Sequence, residues 1–188
     1  YRGVIRAVTD SAGAYHTVNK LNIEQYVKGV VPRESPGGWG SLANGAGMNA
    51  LRSQAVAARS YSLSEARYSY AKTCDTDSCQ VYGGAALRTI GSGGTATIED
   101  SLANQAVVDT AGVIVRTPAG AVVRTEFTSA NGGRTAGGAF TAKQDDGDIA
   151  GDAPTLNWTR IMSAAEMQKK YSTIGVFTSI TTTHDGLG

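Results

Sequence analysis

Glu34 sits between Pro32 and Pro36, at the point where an apolar stretch gives way to a glycine-rich one. A carboxyl group on backbone stiffened from both sides is placed to donate or take a proton in acid–base chemistry. A solvated carboxylate is the ordinary alternative at such a junction. Arg52 and Arg59 are seven residues apart, which on a helix brings them within about 20° of one face and roughly 10 Å apart along it. Two guanidinium groups in a row can clamp a carboxylate or an anionic sugar substituent, because each is a planar, bidentate donor. A salt-bridged surface is the alternative reading of the same spacing. Tyr61, Glu65 and Tyr68 share another face, where packing is the simpler purpose.

Other combinations are poorer. Two histidines, His16 and His184, supply neither a Ser-His-Asp nor a Cys-His set. Asp145-Asp146-Gly147-Asp148 lacks the distal Glu of a calcium loop, and ordinary turn chemistry accounts for it. Gly91-Ser92-Gly93-Gly94 has no following Lys-Ser or Lys-Thr, so it is no phosphate-binding loop.

The elements that must hold these side chains follow from patterning. Val4, Ile5 and Val8, then Tyr15 and Val18, flank the turn Asp10-Ser11-Ala12-Gly13 and predict a hairpin. Asn22, with Gln25 three positions on, predicts a helix start; Leu21, Ile23, Tyr26 and Val30 form its stripe up to Pro32, so the helix leads into Glu34. Residues 35–47 are a glycine-rich loop with Trp39 as a large aromatic anchor. Met48 to Lys72 contains neither Gly nor Pro, and Met48, Leu51, Ala55 and Ala58 recur at helical spacing. Further on we expect a short helix around Ile98 to Val107 and a hairpin of Val113-Ile114-Val115 with Val122 to Phe127 around Thr117 to Gly120. A Gly-rich loop (Ala130 to Gly138) and an acidic loop (Gln144 to Ala153) follow, then a strand near Trp158, a helix near Ser163 to Tyr171 and a strand near Val176 to Thr182.

The composition agrees with a folded domain. The 188 residues include 17 Lys or Arg against 16 Asp or Glu, for a net charge of +1, which argues against binding driven by phosphate neutralisation and hence against a nucleic-acid partner. The 24 glycines are nearly twice the usual share of roughly 7% and imply many turns. No apolar run approaches the roughly 20 residues of a membrane span. The chain begins at Tyr1 instead of Met, so any signal or anchor is expected in a region preceding it.

Several motifs in order carry a resemblance. Asn22-Ile23-Glu24-Gln25-Tyr26-Val27-Lys28-Gly29-Val30-Val31-Pro32-Arg33-Glu34-Ser35-Pro36, Trp39 and Ala50-Leu51-Arg52-Ser53-Gln54-Ala55-Val56-Ala57-Ala58-Arg59-Ser60-Tyr61 are followed by Cys79-Gln80-Val81-Tyr82-Gly83-Gly84, Ala106-Val107, Thr110-Ala111-Gly112 and Ser129-Ala130-Asn131-Gly132-Gly133-Arg134-Thr135. The chain resembles the stage II sporulation protein D and amidase-enhancer LytB family. Ser35 stands where that family usually has Met, and Arg52 where Lys is common. The resemblance implies a lytic transglycosylase that cleaves the MurNAc-GlcNAc β-1,4 bond of peptidoglycan and leaves 1,6-anhydro-MurNAc ends, with a non-catalytic enhancer of a cell-wall amidase as the alternative. It makes Glu34 the catalytic acid and assigns substrate contacts to Arg52, Arg59, Tyr82, Ser129, Asn131, Gly132, Gly133 and Thr135. It implies no cofactor.

Some relatives bind zinc near the position of Cys74 and Cys79, but here both His16 and His184 are remote in sequence, and no metal site is expected. A disulfide closing a small loop is preferred over reduced thiols and agrees with a secreted or cell-surface protein. We read residues 1–188 as a single α+β domain, in which a long central helix, short helices and small antiparallel sheets surround a glycan groove near Glu34, the Met48 to Lys72 helix and the Ser129 to Thr135 loop.

Overall fold

Asp10 turns the first hairpin. Its Oδ1 accepts the backbone N–H groups of Ala12 and Ala14, each at 2.9 Å, and Gly13 takes the left-handed φ of +82° that the turn requires. The flanking strands β1 (Val4–Thr9) and β2 (Tyr15–Lys20) pair antiparallel from Val4 opposite Lys20 to Thr9 opposite Tyr15. The computed structural model describes residues 1–91, 93–138, 140–151 and 156–183, and the chain divides into two compact units, Tyr1–Phe127 and Thr128–Gly188. The fold class is α+β, as expected. His184 lies outside the described residues, as do Ser92 and part of the acidic loop.

In the first unit, helix α1 (Ile23–Glu34) starts where the Asn22 side chain accepts the Glu24 N–H at 2.8 Å. It buries Tyr26, Val27, Val30 and Val31. The helix runs through Pro32 and places Glu34 in its last turn, ending as Ser35 adopts extended backbone ahead of Pro36. Two 3-10 turns, Gly37–Ser41 and Ala43–Gly45, occupy the following loop. Trp39 is not its anchor: the ring is 45% exposed. The loop is held instead by close backbone approach, with Gly37 against the Asp100 carboxylate and Gly40 against Met48, Leu102 and Leu51.

Helix α2 (Met48–Ser64) buries the predicted Leu51, Ala55 and Ala58 but stops eight residues short of Lys72. Side chains end it where no Gly or Pro does. The Ser62 and Ser64 hydroxyls donate back to the Arg59 and Tyr61 carbonyls, and Lys72 Nζ folds back to donate to the Leu63 and Glu65 carbonyls. Strands β3 (Ala86–Arg88) and β4 (Thr95–Thr97) form a short exposed hairpin that the sequence pattern did not announce. Helix α3 (Ser101–Asp109), capped by Asp100, adds Ala103, Ala106 and Val107 to a core shared with α1 and α2. The expected hairpin over 113–127 keeps its turn and one bridge, Arg116 to Val122, without extended strands. Its polar groups are stitched to α2: the Val115 N–H donates to Ser60 Oγ at 2.9 Å and Thr125 Oγ1 donates to the Ala57 carbonyl at 2.7 Å.

The second unit holds α4 (Asp146–Ala150) within the acidic loop and α5 (Ala164–Lys170), which opens on a capping box between Ser163 and Glu166. Among the described residues no strand forms at Trp158 or over 176–182, where Trp158, Val176 and Ile180 remain exposed. No helix among the described residues is long and apolar enough to cross a membrane.

Gly29 shows how closely α1 meets the rest of the first unit. On an exposed helix Gly→Ala gains about 1 kcal/mol, but here the new Cβ would stand 2.5 Å from Tyr82 Cε2 and 3.2 Å from the Gly84 carbonyl. Gly29→Ala should therefore destabilise the unit by about 1–3 kcal/mol in a thermal melt. Equal or greater stability would show that the Tyr82 ring yields freely.

Candidate functional site

Glu34 is half-buried at the end of α1, and its Oε1 accepts the Val81 backbone N–H at 2.8 Å. No cation pairs with it among the described residues. The Val81 donor is fixed from both sides. Gln80, fully buried, accepts from the Tyr26 hydroxyl at 3.2 Å and donates to the Ala58 carbonyl at 3.3 Å, tying the segment to α1 and α2. The Tyr82 ring stacks on Tyr26 with centroids 5.1 Å apart, its hydroxyl accepts from Asn19 Nδ2 at 3.2 Å, and the Gly83 N–H donates to the Gly29 carbonyl. Cys74 and Cys79 form a disulfide with Cα atoms 5.7 Å apart, closing the loop that immediately precedes Gln80.

Burial pushes the Tyr26 phenol well above the usual tyrosine range, and the nearby Glu34 charge pushes it the same way. Tyr82 is raised chiefly by burial as well. Both phenols stay neutral in the physiological range and act as hydrogen-bonding posts.

The two arginines do lie on one face of α2, but the anions they hold belong to the protein. Arg59 is 1% exposed; its Nε and Nη2 grip Glu24 at 3.0 and 2.7 Å, while Nη1 donates to the Val113 carbonyl at 3.0 Å. Arg52 binds Asp109 through Nε and Nη2 at 2.9 and 2.7 Å and Asn49 through Nη1, with its side chain 40% exposed. Arg59 thus clips α1, α2 and the turn after α3 together, and its guanidinium has no donor turned to solvent. Arg52 keeps an open side.

In the second unit Gly132 and Gly133 take left-handed φ values of +76° and +88°, and Ser129 is exposed. The acids dismissed as turn formers shape this loop. Asp148 Oδ2 accepts the Asn131 N–H at 2.7 Å, Asp145 Oδ2 accepts from Asn131 Nδ2 at 2.8 Å, and Asn131 Oδ1 accepts the Gly133 N–H. Thr135 Oγ1 accepts the Lys143 N–H at 2.8 Å. Asn131 and Thr135 therefore hold the loop from within. Their supports lie eight to seventeen residues downstream, where no local pattern ties them to it.

The sequence model of the SpoIID family, described as stage II sporulation protein, matches residues 11–116, more than half of the chain. The chain belongs to the SpoIID family. The matched span carries Glu34, Arg52, Arg59, Tyr82 and both cysteines, whereas the Ser129 to Thr135 loop lies beyond it. The amidase enhancer of Bacillus subtilis strain 168 is 29% identical over 153 residues, covering 77% of this chain and 18% of that protein. An uncharacterised protein of Brachyspira hyodysenteriae is 52% identical over 46 residues, or 24% of this chain and 11% of its own length. The chain thus spans less than a fifth of either relative. No solved structure matches it.

Proposed function

We propose that this chain is a lytic transglycosylase domain acting outside the cytoplasm on peptidoglycan glycan strands, with Glu34 as its single acid–base group. The observation that carries this is the Glu34 carboxyl at a helix end, with Oε1 held by the Val81 N–H and Oε2 bearing no protein donor among the described residues. Protonated at Oε2, Glu34 gives its proton to the glycosidic oxygen as the C1–O bond breaks. The sugar's own C6 hydroxyl then attacks C1, its proton passes to the Glu34 carboxylate, and a 1,6-anhydro ring closes without water. Hydrolytic glycosidases use two carboxyl groups because one must activate water or attack the sugar; an internal hydroxyl removes that need. Tyr82 and Arg52 are proposed to position the strand, with Arg59 bracing α2 behind them, and the Ser129 to Thr135 loop of the second unit is proposed as a glycan contact in its own right. The disulfide supports an oxidising compartment.

Mass spectrometry after incubation with intact and peptide-stripped glycan strands tests this. Anhydro-MurNAc ends, one water lighter than hydrolytic products, are expected; reducing ends would overturn the mechanism. The name of the Bacillus subtilis relative favours a second reading, an accessory domain that stimulates an amidase. Strand binding without cleavage, together with faster peptide release by an added cell-wall amidase, would establish it.

A further inference from the structure

A groove of about 860 Å³ opens in the first unit beside the β1–β2 hairpin, in the size range of ligand clefts, and Glu34 is not among its walls. Its character changes along its length. At one end His16, Tyr70 and Tyr68 form a continuous stack, with ring centroids 4.0 and 5.2 Å apart and planes within 14°; Tyr68, 40% exposed, terminates it. Further along the same hairpin face lie Arg6, opposite Val18, and Lys20, opposite Val4, making the two residues diagonal neighbours whose Cα atoms stand roughly 7–8 Å apart across the strands. Neither takes part in an ion pair among the described residues.

The other charges at the groove are fewer or occupied. Lys72 donates to the Leu63 and Glu65 carbonyls, His16 pairs with Asp10, and Asp75 is the acidic wall residue. Asn19, which alternates to the other side of the hairpin from Val18 and Lys20, gives its Nδ2 to Tyr82 at the back of this wall. The groove therefore presents a ring face for an apolar surface and a pair of cations for carboxylates.

We propose that this groove, whose walls include Tyr82 but not Glu34, is a further binding site for a carboxylate-bearing glycan strand. Sugar C–H faces pack on Tyr68, and carboxylates on the sugar meet Arg6 and Lys20. Choosing a glycan over other acidic ligands rests on the transglycosylase reading; the groove's demand for a ring-bearing anion does not.

Calorimetric titration of the Glu34→Gln chain, which binds without consuming ligand, tests the site. The ligands are a peptide-free MurNAc-GlcNAc oligosaccharide with free lactyl carboxylates, a neutral chitooligosaccharide of equal length, and oligoglutamate. Joint replacement of Arg6 and Lys20 by Ala should weaken the carboxylated sugar about tenfold and the neutral one little, with that difference shrinking at high salt. Tyr68→Ala should weaken both sugars. All three residues are exposed, and unchanged melting curves would show that the variants remain folded. Equal affinity in parent and variants, no sugar binding at all, or tighter binding of oligoglutamate through the same residues overturns the proposal. Anhydro-end formation with groove variants that bind as the parent does would sink the groove and leave the transglycosylase standing; groove-dependent binding by a chain that never cleaves would do the reverse.

Discussion

Arg59→Leu lowers the unfolding free energy of the first unit by about 3–5 kcal/mol, the cost of breaking a buried ion pair from one side. Leucine fills much of the space but leaves Glu24 with only the Gly112 N–H, and it strips the Val113 and Val107 carbonyls of their guanidinium donors. Val107 lies in the last turn of α3, so the substitution also removes a cation from that helix's negative end. Arg59→Lys keeps the charge and loses the paired donors, which places it between the two. Arg52→Leu is the control: its pair with Asp109 is solvent-exposed, and its loss should cost less than about 1 kcal/mol. Urea denaturation ranks the three, and an Arg59→Leu chain no less stable than Arg52→Leu would refute the clip.

That contrast also marks what one sequence can and cannot disclose. The seven-residue interval placed both arginines on one face because helical geometry alone decides it. Whether that face grips a ligand or the fold depended on Glu24, 35 residues away, and Asp109, 57 away, which no local pattern links to them. Helices α1 and α2 were legible wherever apolar spacing and an Asn cap govern. The end of α2 was not, because serine hydroxyls and a returning lysine stop it instead of Gly or Pro. The 113–127 segment has genuine strand composition, yet the Ser60 hydroxyl on α2 takes its Val115 N–H and its own Thr125 hydroxyl turns to the Ala57 carbonyl of α2, leaving only a bridge. Glu34 stood out through its flanking prolines. The Val81 N–H that orients it could not, since every non-proline residue carries the same donor.

The same backbone donor makes Glu34 unusually clean to test. Glu34→Gln keeps an oxygen where Oε1 accepts from Val81 and replaces only the proton-carrying oxygen, so the melting curve should match that of the parent while the rate of anhydro-end formation falls by at least about 10²–10⁴-fold. Glu34→Asp keeps the acid but shortens its arm by one methylene. It can satisfy Val81 or reach the glycosidic oxygen, not both, and a displacement on the order of 1 Å costs about 10²-fold. Single-turnover cleavage of peptide-stripped strands separates the two losses: with Asp a slow reaction still yields anhydro ends, because a carboxylate remains to take the C6 proton. With Gln that proton has no base to receive it. A Gln variant that cleaves at the parent rate would remove Glu34 from the reaction; an Asp variant as fast as the parent would show that the Val81 contact does not set the geometry of proton transfer.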